Sequence, residues 1–67
     1  MNNLRFLNES QYLELIDLYH LSKTALAGMR YQKYDRMLWA SKRFNKLHPS
    51  ISVTACYKDL ETNLYGY

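Results

Sequence analysis

His48-Pro49-Ser50-Ile51-Ser52-Val53-Thr54-Ala55-Cys56-Tyr57-Lys58-Asp59-Leu60 divides the second half of the chain into two helices. Proline disfavours helical geometry in the residue before it, so a helix arriving from the N-terminal side stops at His48. Ser50 or Ser52 can then cap the next helix. Val53, Cys56, Tyr57, Leu60 and Leu64 recur at helical spacing and form one apolar stripe, and Gly66 stands just beyond it, where a C-terminal glycine belongs. Working back from the proline, Tyr34, Met37, Leu38, Ser41, Phe44 and Leu47 mark a second stripe, over a helix of about residues 30–47. Gly28 is the break before it. The first helix, about residues 8–27, opens on Asn8, with Gln11 three residues on as reciprocal capping partner and Leu7 and Tyr12 in the positions of a hydrophobic staple. Its stripe is Tyr12, Leu15, Ile16, Tyr19 and Leu26, widened by Leu13, Leu18 and Leu21. The expected fold is therefore all-α, a single compact three-helix domain spanning residues 1–67.

Bulk composition supports a folded domain. The chain has 67 residues, 48% apolar and 15% aromatic, with seven tyrosines. A chain this short buries only about 60% of its unfolded surface, and tyrosine suits such a thin core because it buries a ring and keeps its hydroxyl wet. The one cysteine, Cys56, excludes an intrachain disulfide. Small secreted domains normally carry several bridges, so the expected setting is the cytoplasm and the expected role of Cys56 is that of a small buried hydrophobe. No apolar run is long enough to span a bilayer, and the first residues lack the apolar core of a signal peptide. No membrane partner is expected.

The net charge of +3 is unevenly placed. Residues 1–21 hold one base and three acids, residues 22–49 seven bases and one acid, and residues 50–67 one base and two acids. A basic middle between acidic ends points to a polyanion contact or a self-complementary interface. At about 100° per residue, Arg36, Trp39, Lys42, Arg43 and Lys46 gather on one side of helix two. Cations at that density neutralise phosphates, and an aromatic ring among them can stack or anchor. Trp39 is equally suited to anchoring a protein partner or to packing against a neighbouring helix. Around helix three, Thr54, Ala55, Lys58, Glu61 and Thr62 face away from the apolar stripe.

The stretch from His48 to Leu60 resembles the start of the recognition helix in helix-turn-helix repressors, above all winged helices of the ferric uptake regulator type. Ile51, Ser52, Tyr57 and Leu60 match that pattern after the His-Pro pair, with Lys58 in place of an arginine. The resemblance implies that Tyr57 and Lys58 face DNA, that Thr54 and Ala55 lie close to the groove, and that Ile51, Cys56 and Leu60 face the core. Three residues follow Leu64, so the expectation is a helix-turn-helix without a wing. The family's metal-binding histidine clusters have no counterpart here.

Catalysis has little footing. His20 and His48 are the only histidines, a metal site needs three or four converging ligands, and no glycine-rich phosphate loop exists. No catalytic residue, metal or cofactor is expected. The expected function is a small non-enzymatic regulator that binds double-stranded DNA as a dimer, with helix three in the major groove. Arg36, Lys42, Arg43 and Lys46 would supply phosphate contacts. The alternative is an interaction module, such as an inhibitor or adaptor of the kind phages and mobile elements encode. It would bind an acidic protein surface through Trp39, the basic residues and tyrosines. Glu14 and Asp17, on the acidic face of helix one, are the candidate residues for a partner or homodimer surface.

Overall fold

A capping box starts the first helix. In the computed structural model, which describes residues 7–64 and side chains as far as Thr62, the Asn8 Oδ1 accepts the Gln11 N–H at 2.8 Å, and the Gln11 Oε1 accepts the Asn8 N–H at 3.1 Å. Leu7 and Tyr12, the staple residues on either side of this cap, are both buried. The helix, α1, spans Glu9–Ala25. It ends where Gly28 takes a positive φ of 79°, a backbone conformation that L side chains adopt only at a cost.

The second helix, α2, spans Asp35–Leu47 and so begins five residues later than its sequence pattern suggests. After the left-handed turn at Gly28, the chain makes a separate turn. The Asp35 N–H donates to the Gln32 carbonyl at 3.1 Å, and the Asp35 carboxylate accepts the Gln32 N–H at 2.8 Å. Asp35 therefore satisfies a backbone donor ahead of the helix, and regular winding starts at it. At the other end, the His48 N–H reaches the Phe44 carbonyl at 2.9 Å, and the helix stops before Pro49 as the sequence requires.

A turn follows, in which the Ile51 N–H bonds the His48 carbonyl at 3.0 Å and the Asn45 side chain bonds the Ile51 carbonyl at 2.9 Å. The third helix is entered through one turn of 3₁₀ helix, Thr54–Cys56, which runs directly into α3, Tyr57–Leu64. Neither serine caps it. Ser50 and Ser52 are exposed, the residue at the cap is Val53, and no side chain bonds there. Val53 is fully buried, so its packing sets where the helix begins. The side chain of Leu64 and the residue Gly66, both assigned above to the end of this helix, lie outside the described residues.

α1 and α2 form an antiparallel hairpin: Ser22 near the end of α1 meets Arg36 at the start of α2, and Glu14 near the start of α1 meets His48 just past the end of α2. The 3₁₀ turn and α3 pack on another flank of α2. The core joins Leu7, Tyr12 and Leu15 to Met37, Ala40 and Phe44 and to Val53 and Leu60. Burying side chains as large as Phe44 and Leu15 contributes about 1.5–3 kcal/mol each. The described residues contain no strand, and none of their helices is long and apolar enough to cross a membrane. The chain is an all-α three-helix domain.

Candidate nucleic-acid interface

α2 is built to show one face to the core and another to water. Met37, Ala40, Ser41 and Phe44 are buried, whereas Lys42, Arg43 and Lys46 are exposed. Lys46, in the last turn, also sits favourably in the field of the helix C-terminus. Trp39 is half-buried, with part of its ring packed against the core. The rest forms, with Lys42, Arg43 and Lys46, a shallow groove of about 230 Å³. The Arg43 guanidinium lies 5.2 Å from the centre of the tryptophan ring, within cation–π range. Among the described residues no carboxylate is ion-paired with Lys42, Arg43 or Lys46.

Arg36 does not join them. Its side chain turns toward α1, where Nε donates to the Ser22 hydroxyl at 3.0 Å and a terminal nitrogen donates to the Tyr19 carbonyl at 2.9 Å. The guanidinium also covers the Tyr19 ring, 4.3 Å from its centre. Ser22 is fully buried there and donates to the same Tyr19 carbonyl. Arg36 is thus a clamp between α1 and α2, with two of its five N–H donors bonded to α1.

The front of α3 is fastened to the start of α2. The Tyr34 and Tyr57 rings meet edge to face, 6.3 Å apart and at 80°. The ammonium groups of Lys33 and Lys58 lie 5.4 Å and 5.6 Å from the centre of the Tyr34 ring. Of the residues that the helix-turn-helix resemblance turns toward DNA, Ala55 and Lys58 are exposed, while Thr54 and Tyr57 are half-covered. Asp59, beside Lys58, is also exposed. The outward side of α3 therefore offers little positive field of its own.

The two acidic candidates on α1 separate. Asp17 is exposed, but Glu14 Oε1 lies 2.5 Å from His48 Nε2. The same imidazole rests on Phe44, with ring centres 4.6 Å apart. The first contact ties the end of α2 to α1, and the second packs the imidazole back onto α2 itself.

Glu61, expected on the polar back of α3, is buried, and its Oε1 accepts the Tyr19 hydroxyl at 3.1 Å. The spacing held the signal. Glu61 stands four residues after Tyr57 and eight after Val53, on the apolar stripe itself, and only its charge argued for the outside. Burial, and secondarily the charge of Asp59, raises the Cys56 thiol above its ordinary value; the sulfur also points at the Val53 carbonyl, 3.5 Å away. A larger depression, about 660 Å³, opens beside the loop between α1 and α2, lined by Met29, Arg30, Tyr31, Gln32 and Asp35. Its carboxylate is already bonded to the loop backbone. Among the described residues no three of His, Cys, Asp and Glu converge as a metal site would need.

Compared with protein-family models, with curated proteins and with solved structures, the chain matches none.

Proposed function

We propose that this protein is a small non-enzymatic nucleic-acid-binding protein that holds phosphates on the exposed face of α2. The observation that carries this reading is the groove of Lys42, Arg43 and Lys46 around Trp39, three solvated cations with no carboxylate partner among the described residues. Such a group gains most from a polyanion, because each neutralised phosphate releases counterions. Major-groove reading by α3 has less behind it, since Thr54 and Tyr57 are partly covered by packing. Phosphate contacts, rather than base edges, would supply most of the affinity. A role as a regulator in the cytoplasm fits the lone Cys56, which rules out an intrachain disulfide.

The test is retention on nucleic acid as salt rises. Binding through three cations predicts a log–log salt slope of roughly −2 to −3. The double variant Lys42→Ala with Arg43→Ala should lose most of the affinity and most of that slope while its circular dichroism stays unchanged. Unchanged binding by the double variant would remove the proposal.

A second reading, a module that covers an acidic protein surface through the same groove, is favoured by the exposure of Leu13, Leu21, Met29, Tyr31 and Leu47. Large exposed apolar side chains give a protein partner surface to cover. That reading predicts binding that persists at salt concentrations which strip nucleic acid away.

A further inference from the structure

We infer that the nucleic acid taken by α2 is single-stranded, with bases stacking on Trp39 and Tyr34 while the lysines and Arg43 around them hold the backbone. This inference rests on the phosphate-binding reading above and specifies its ligand.

The argument starts from the company the two rings keep. Each is half-buried and has cations over its ring: Arg43 at Trp39, Lys33 and Lys58 at Tyr34. Trp39 packs against the core, and Tyr34 is braced by the edge-on contact with Tyr57. A ring held this way is a rigid platform. Duplex DNA offers such a platform nothing, because its base faces are already stacked on one another. An unpaired strand offers every base face, and base–aromatic stacking beside a basic track is the general solution for binding it.

The helix itself supplies the track. Tyr34, Leu38, Lys42 and Lys46 follow one another at intervals of four residues and form a single ridge, and Trp39 and Arg43 form the ridge next to it. Trp39 lies five residues after Tyr34, a rise of about 7.5 Å along the axis. Lys42 lies three residues beyond Trp39 in the same groove, so a backbone leaving the tryptophan toward the C-terminal end of α2 meets its ammonium. At the Tyr34 end the track gains Lys58 from α3, so the front of the last helix and the basic face of α2 meet at one ring. Asp35, next to Tyr34, has its carboxylate bonded to the Gln32 N–H, and Asp59 stands exposed beside Lys58.

Trp39 is the only tryptophan of the chain, so its fluorescence reports the site directly. The intact protein is titrated with three probes of equal length, about a dozen nucleotides each, which spans a typical site: oligothymidine, the same backbone with abasic residues, and a duplex. The expected result is strong quenching and tightest binding with oligothymidine, with the abasic strand and the duplex weaker by about tenfold or more, since each stacked base contributes about 1–3 kcal/mol. Trp39→Phe should keep most of the affinity for oligothymidine, and Trp39→Ala should lose it while still binding the duplex. The Phe variant also keeps the test alive if the Ala variant fails to fold. Equal affinity for the abasic strand, or duplex binding as tight as oligothymidine, overturns the inference and leaves the phosphate-binding reading standing. No binding of any of the three probes overturns both.

Discussion

Arg36→Ala separates a cation that builds the fold from cations that face a ligand. The substitution deletes two charge-assisted hydrogen bonds, to the Ser22 hydroxyl at 3.0 Å and the Tyr19 carbonyl at 2.9 Å, and a guanidinium 4.3 Å from the Tyr19 ring. A hydrogen bond to a charged group contributes about 1.5–3 kcal/mol when well shielded, and a cation–π contact about 0.5–1 kcal/mol near the surface. Arg36 is half-buried, and Ser22 keeps its own bond to the Tyr19 carbonyl, so the net loss is taken at the low end, about 2 kcal/mol. A domain of this length has roughly 3–10 kcal/mol in all, so the variant stays folded at low temperature. At about 4–8 °C per kcal/mol, its Tm falls by roughly 8–16 °C. Arg36→Lys keeps the charge without the planar fork and should fall between the two. Thermal unfolding followed by circular dichroism measures the shift, and nucleic-acid affinity is read below the transition. The expected pattern is a large loss of stability with little loss of affinity, the reverse of Lys42→Ala with Arg43→Ala. A Tm within about 3 °C of the parent, or an affinity loss equal to that of the double variant, would refute the assignment of Arg36 to the hairpin.

Three further outcomes follow from the geometry. Gly28→Ala meets no atom within 4 Å but must hold φ at 79°, so it should cost about 1–2 kcal/mol through the backbone alone, with Gly28→Asn milder; an unchanged Tm would show that the turn relaxes freely. Asn8→Ala removes both the acceptor for the Gln11 N–H and the partner of Ser10 and should cost about 1 kcal/mol, seen as a lower urea midpoint at unchanged slope. The raised Cys56 thiol should react with iodoacetamide more slowly in the native protein than in urea at the same pH. Because its pKa rises on folding from an ordinary 9.0, the associated stability is present below that value and is lost as the pH climbs through the folded pKa. Equal native and denatured alkylation rates would contradict the burial.

The chain's own pattern determined a good deal. Asn8 and Gln11, Pro49 after His48, and apolar residues at spacings of three and four are local signals, and they act wherever the chain is placed; the capping box, the end of α2 and the three-helix architecture follow from them. Exposure of Lys42, Arg43 and Lys46 follows too, because a helix that buries Met37 and Phe44 must turn those positions outward. Only the tertiary structure decided the rest, since it depends on which groups lie across from one another. Arg36 shares the sequence face of Lys42 but is drawn inward by carbonyl and hydroxyl acceptors on α1. Glu61 is held inside by a tyrosine forty-two residues away, Glu14 is taken by His48, and the start of α3 is fixed by Val53 in the core rather than by a serine cap. A helical wheel ranks faces by polarity, whereas folding places each polar group by the partner it finds, and the sequence does not say which distant residue that partner is.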